Sequence, residues 1–151
     1  MNIHQAFLSA LLLASAALPA AEPITNSLGM KLVRIEPGTF TMGSPEDERH
    51  RTKRELQHEV TLARRYAIGV VPVTQALWTA VMGSNPSEKE YDGVTFVGDT
   101  LPVQNVSWCD AVVFANKLSA LEGLTPAYGN AANCAAVTWN RGANGYRLPT
   151  E

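Results

Sequence analysis

The sequence predicts an α+β domain poor in regular secondary structure, and three observations predict it. Short segments of alternating apolar and polar residues crowd the first half of the chain. Two stretches with three- and four-residue apolar spacing, each opened by Thr or Ser and closed by Gly, read as helices. Turn formers, 11 Gly and 9 Pro among 151 residues, punctuate everything between. A content of 46% hydrophobic and 17% charged residues fits a globular chain rather than a disordered one. The length allows a single domain of ordinary size.

Met1 to Ala20 carries no Asp, Glu, Lys or Arg, and the run from Ala6 to Ala14 is largely apolar. Small residues follow, ending Leu18-Pro19-Ala20-Ala21, which is the layout of a secretory signal cut after Ala20. Residues 1–20 are therefore expected to be a signal peptide, and the protein to be periplasmic or secreted. No apolar run reaches the roughly 18–20 residues of a spanning helix, so no membrane span is expected after cleavage.

Residues 21–30 form a lead-in without a clear period. Lys31-Leu32-Val33-Arg34-Ile35 alternates as a strand, and Pro37-Gly38 reads as a turn. Thr39 to Gly43 is the expected returning strand of a hairpin. Ser44 to Gln57 is dense in charge and nearly free of apolar residues, hence a solvated loop. His58 to Ala63 and Tyr66 to Val71 read as two further strands, ended by Pro72, which has no N–H to donate.

Thr74 is a good N-cap for a short helix over Gln75 to Met82, and Gly83 suits its end. The stretch from Glu88 to Thr100 reads as irregular. Ser107 and Asp110 have the spacing of a reciprocal cap, so Trp108 to Glu122 is predicted to be a helix of about four turns. Trp108, Ala111, Val112, Ala115, Leu118 and Leu121 share one side of it and are the candidate core, with Gly123 closing the helix. Leu124 to Ala136 is loop-like. Val137 to Trp139 is a candidate strand, with Tyr146 to Leu148 its expected partner across the Asn140–Gly145 turn cluster. Pro149-Thr150-Glu151 reads as the start of another helix, so the chain is expected to end inside a domain.

Several blocks resemble the formylglycine-generating enzyme family, also called the sulfatase-modifying factor domain. Phe40-Thr41-Met42-Gly43-Ser44 and His58-Glu59-Val60-Thr61-Leu62 look like its early strands. Val73-Thr74-Gln75 with Trp78, then Val81 to Ser87, is similar to a common bacterial version. Pro102 to Trp108 with Asp110-Ala111 resembles its P-V-x-x-V-S-W-x-D-A block. Leu121 to Tyr128, Val137 to Trp139 and Asn144 to Glu151 complete the series in the family's order across residues 31–151.

The resemblance implies a C-type-lectin-like fold of the formylglycine-generating enzyme type. It implies that residues 31–151 are a partial domain whose C-terminal half is missing. Active members oxidise a sulfatase cysteine to formylglycine with oxygen and copper, and they carry calcium. A divergent relative matures a peptide siderophore. The family's copper-binding cysteines and calcium ligands lie in the C-terminal half, so copper and calcium are implied for full-length members and for none of the residues here. A sulfatase or another protein or peptide is the implied partner. The chain alone is expected to be inactive; a non-catalytic binding module on the same fold is the alternative.

The residues themselves name no catalytic, cofactor-binding or metal-ligating set. Cys109 and Cys134 invite a copper(I) site, but no second soft-ligand motif supports one, and a structural or free role is preferred. In an oxidising compartment the two would either pair or stay free. His50 and His58 lie near Glu46, Asp47 and Glu48, yet Arg49, Arg51, Lys53 and Arg54 would repel a cation. Trp78, Trp108 and Trp139 would make an aromatic surface, although Trp108 reads as a core anchor. Asn105-Val106-Ser107 fits a glycosylation sequon and, preferably, an unmodified helix start. A formal charge of -2, from 12 Lys+Arg against 14 Asp+Glu, speaks against nucleic acid as a partner.

Overall fold

The computed structural model describes residues 22–87 and 90–150, so the expected signal segment lies outside the described residues. In chain order the elements are β1 (Ile24–Thr25), β2 (Lys31–Ile35), β3 (Gly38–Met42), β4 (His58–Leu62), β5 (Tyr66–Gly69), α1 (Gln75–Met82), β6 (Glu90–Tyr91), β7 (Val94–Thr95), α2 (Trp108–Leu121), β8 (Tyr128–Gly129) and β9 (Thr138–Trp139). A single 3₁₀ turn spans Cys134–Ala136.

The expected hairpin of β2 with β3 does not form. β2 pairs antiparallel with β5, from Leu32 opposite Gly69 to Ile35 opposite Tyr66, and β1 covers its other edge. β3 pairs with β4 instead, from Gly38 opposite Leu62 to Met42 opposite His58. The result is two ladders in succession, a three-stranded sheet β1-β2-β5 and a two-stranded sheet β3-β4. The two ladders are separated by unpaired residues, Glu36 and Pro37 on one side and Ala63, Arg64 and Arg65 on the other. Pro37 explains the failure. Proline at the first turn position favours turns whose twist splays the flanking strands, so Pro37-Gly38 bends the chain without reversing it.

The charged segment over 44–57 is the loop joining β3 to β4, and it is internally braced. Glu55 accepts from the hydroxyls of Ser44 and Thr52 at 2.6 and 2.9 Å, and Arg51 Nε donates to the Ser44 carbonyl at 3.0 Å. Those bonds, the Ser44 hydroxyl first, hold the Glu55 carboxyl below its ordinary pKa.

Both helices form where their caps predict. Thr74 Oγ1 accepts from the Leu77 N–H, and Gly83 ends α1 at φ 87. The free amides of the first turn of α1 also find partners, since Gln75 and Ala76 donate to the carbonyls of Leu101 and Asp99. The helices pack through Leu77, Trp78, Val81, Phe114 and Leu118, with the Trp78 and Phe114 rings stacked 4.9 Å apart and 5° from parallel. Gln75 is buried at the centre of this contact's edge, only 2% exposed. Its amide donates to the carbonyls of Phe96 and Pro102 and accepts from Asn85 and Gly98, so it lashes the 96–102 loop to α1.

Of the expected core side of α2, Val112, Ala115 and Leu118 are buried. Trp108 and Leu121 are not, at 53% and 58% exposure. Trp108 lies in the first turn and lines a cleft rather than the core. Phe114 and Ser119 complete the buried side in their place. Two regions read as irregular hold short hairpins. Asp92 and Gly93, at φ 50 and 75, make the tight turn between β6 and β7. β8 lies in the stretch that reads as loop and takes β9 as its partner. Tyr146 to Leu148 is therefore not the partner of β9. Its amides are bound by side chains: the Tyr146 N–H donates to Ser119 Oγ at 2.8 Å and the Leu148 N–H to Tyr128 Oη at 2.9 Å.

Candidate functional site

A cleft of about 240 Å³ opens beside the first turn of α2. Trp108, Tyr128, Val137, Trp139, Leu148 and Pro149 line it. Each wall is fixed by a local device. Ser107 accepts from the Asp110 N–H while Asp110 accepts from the Ser107 N–H and hydroxyl, a reciprocal cap that sets the first turn and hence Trp108. The Ser107 hydroxyl, then its backbone N–H, holds the Asp110 carboxyl below its ordinary pKa.

Asn116, in the middle of α2, clasps the backbone of Tyr128. Its Nδ2 donates to the Tyr128 carbonyl at 2.6 Å, and its Oδ1 accepts from the Tyr128 N–H at 3.1 Å. Tyr128 then stands opposite Trp139 in the β8–β9 ladder. Before Leu148 the chain approaches α2 closely at Gly145. A Cβ there would lie 2.5 Å from Ser119 Oγ and would collide with the Thr125 carbonyl.

Cys109 and Cys134 are joined in a disulfide, with Cα atoms 5.7 Å apart. Of the two readings open in the sequence, pairing is the one found. The bond ties the residue after Trp108 to the 3₁₀ turn that leads into Val137 and Trp139, so it links the two walls of the cleft.

Two guanidinium groups stand at this site. Arg141 Cζ is 4.7 Å from the centroid of the Trp139 ring. Arg147 Cζ is 5.7 Å from the same ring and 6.0 Å from that of Tyr66. The only ion pair among the described residues is elsewhere, between Arg65 and Glu36 at 4.0 Å, and both its side chains are exposed.

The three tryptophans separate. Trp78 is core, while Trp108 and Trp139 share the cleft. Among the described residues no three His, Cys, Asp or Glu side chains converge as a cage for a metal ion, His50 and His58 included. Copper(I) prefers thiolate, and the sulfurs of Cys109 and Cys134 are bonded to each other. The two cysteines therefore offer no free thiolate pair to copper(I). Asn105, at φ 58, leads directly into the capped start of α2.

Sequence reasoning missed Arg141 and Arg147: Arg141 is a solitary Arg in a turn cluster, and Arg147 stood in an expected strand where nothing marked it as facing Trp139. It also missed Asn116 and Gln75. Asn116 did leave a signal, a poor helix former in a helix interior, where such a residue often serves a neighbouring backbone.

Residues 18–151 match the sulfatase-modifying factor enzyme 1-like domain. The chain is 36% identical over 155 residues to the chaperone protein LppX of Paenibacillus barcinonensis, covering 93% of this chain and 49% of that one. Among solved structures it is similar to Treponema denticola variable protein 1, at 29% identity and a TM-score of 0.65, over 88% of this chain and 54% of the other. It is also similar to CarF, at 27% identity and a TM-score of 0.57, over 82% of this chain and 53% of the other. The chain thus spans about half the length of these relatives. Mixed short strands around two helices, the motif series and the match over 18–151 together make this chain a member of the sulfatase-modifying factor, or formylglycine-generating enzyme, family, with its C-type-lectin-like α+β fold.

Proposed function

We propose that the protein acts outside the cytosol on a protein or peptide, and that residues 22–150 bind and position rather than carry out chemistry. The bond between Cys109 and Cys134 carries this reading. The chain has only two cysteines, and each holds the other, which leaves no thiolate for copper or for nucleophilic attack. The same bond supports export, since disulfides persist in oxidising compartments. The signal-like residues 1–20 agree with it, and no helix among the described residues is long and apolar enough to cross a membrane. A relative named as a chaperone is a further support for binding without turnover.

A second reading is favoured by the family itself. In it the complete protein is a copper- and oxygen-dependent oxidase of a protein or peptide cysteine, and these residues scaffold donors contributed from elsewhere. One experiment separates the two for this chain. The purified chain is incubated with copper(I), oxygen and a fluorescent cysteine-bearing peptide, and oxygen uptake and peptide anisotropy are followed together. Binding without oxygen uptake is expected. Oxygen uptake by this chain alone would overturn the non-catalytic role, and the absence of binding to every peptide tried would overturn the peptide-handling role.

A further inference from the structure

We infer that the cleft between α2 and β9 receives one large apolar side chain of an acidic peptide, with Arg141 and Arg147 holding carboxylates beside it. This inference rests on the peptide-handling reading above and names its site and ligand chemistry.

Four observations lead to it. The cleft, at about 240 Å³, is smaller than the roughly 300–1,000 Å³ of ordinary cofactor and small-molecule sites, and it suits a single side chain. Its walls present Trp108 and Trp139 at 53% and 42% exposure, and half-exposed tryptophans that share a concave site are typical of binding anchors.

The third is charge. Both guanidiniums lie within 6 Å of one indole ring, and among the described residues neither has a carboxylate within 4.0 Å. Neither donates a hydrogen bond to another described residue. A guanidinium beside a ring face, with no carboxylate or carbonyl partner, keeps its N–H groups available for a carboxylate. Two like charges on one ring also repel, and an anionic partner relieves that repulsion.

The fourth is rigidity. The disulfide links the walls, and Asn116 fixes Tyr128, so little ordering remains to oppose binding. A neutral sugar fits less well, because it would need the face of Trp139 over which Arg141 stands.

The test uses the full chain and fluorescence anisotropy with three short labelled peptides. One is rich in Asp and Glu around a central Phe. The second has Ser for the Phe, and the third has Lys for the acids. The first should bind, more weakly as salt rises, and the other two should bind at least about tenfold more weakly. The paired substitution Arg141→Gln with Arg147→Gln should weaken the first peptide by about tenfold or more, while Arg54→Gln in the distant charged loop leaves it unchanged. Far-UV circular dichroism checks that the exposed Gln variants fold, and the charge-reversed peptide tests the same point on unaltered protein.

Equal binding of the Lys peptide would overturn the inference. So would tighter binding of a sulfated oligosaccharide than of the acidic peptide, the other ligand class two arginines can hold. Peptide binding indifferent to Arg141, Arg147 and Trp139→Ala would overturn it while leaving the peptide-handling reading intact. Absence of binding to all three peptides, and to any other tried, would remove both.

Discussion

Replacing Gln75 by Met keeps most of the side chain's shape and removes all of its hydrogen bonding. Four partners are released: the Phe96 carbonyl at 2.7 Å, the Pro102 carbonyl at 3.2 Å, the Asn85 amide at 2.8 Å and the Gly98 N–H at 3.2 Å. Asn85 and Pro102 are exposed and regain water, whereas Phe96 and Gly98 are half-buried. Two stranded groups at about 1–2 kcal/mol each give a loss of about 2–4 kcal/mol. That is a large share of the 5–15 kcal/mol typical of a folded domain. Urea unfolding followed by the fluorescence of Trp78, which is 4% exposed on the same helix, reads the change directly. Gln57→Met, at an exposed loop position, is the control.

Gln75→Glu sharpens the test. It points a carboxylate oxygen at two carbonyls, so the folded state favours the neutral acid and the folded pKa rises above the unfolded value of about 4.3. The variant's deficit is then smallest below that pH and grows as pH rises through the folded pKa. A Gln75→Met midpoint within about 0.5 kcal/mol of the parent would refute the reasoning, because the loop would then be held by something other than this amide.

Gly145→Ala should destabilise by about 1–3 kcal/mol through overpacking against Ser119 and Thr125, whereas Gly142→Ala, whose new Cβ meets only Asn140 Oδ1 at 3.4 Å, should be nearly neutral in the same urea assay. The depressed pKa of Asp110 makes its cap fully stabilising above the ordinary aspartate pKa of about 3.9 and progressively weaker as pH falls through the lower folded value. Asp110→Asn should therefore flatten the acid limb of urea midpoint against pH. Cys109 and Cys134 are 25 positions apart, for which chain entropy gives about 3–4 kcal/mol, so dithiothreitol or paired Cys→Ser substitution should lower the melting temperature and loosen the cleft walls. A melting curve unmoved by reduction would show that the bond constrains nothing.

The parts of the fold legible in the sequence are those fixed by neighbours in the chain. Thr74 and Ser107 bond amides three residues ahead, so both helix starts could be read from spacing alone. The strands around Leu32, Val60 and Ile68 announced themselves by alternation, but alternation does not name a partner. Pairing β2 with β5 closes a loop of about thirty residues, and the bend at Pro37 allows it. Trp108 illustrates a second limit. Its helical position puts it on the core side, yet burial depends on which segment packs over the first turn of α2, and helical phase carries no information about that. The cleft was hidden for the same reason. Its arginines and aromatics come from separate segments whose relation is set by the disulfide and by Asn116, both long-range facts.

The amides explain how so little regular structure still makes defined walls. A backbone outside helix and sheet must find partners for its N–H and C=O groups elsewhere, or be solvated. In this chain side-chain amides supply many of them. Asn26 accepts from Leu28 and Met30, Gln75 serves Phe96, Gly98 and Pro102, Asn116 serves Tyr128, and Asn144 accepts from Thr125. Most of these reach a segment remote in sequence, and each replaces a ladder that a longer strand would have made. Such an arrangement fixes loops at single points and leaves the side chains between those points free to vary. Tyr128 is pinned by its backbone to Asn116 and by its hydroxyl to Leu148, so with Cys134 bonded to Cys109 the cleft wall is held at few points of the 124–136 loop. Specificity would then be altered by changing Arg141, Arg147 or Val137 without disturbing the fold, whereas changing Asn116 would move the wall itself.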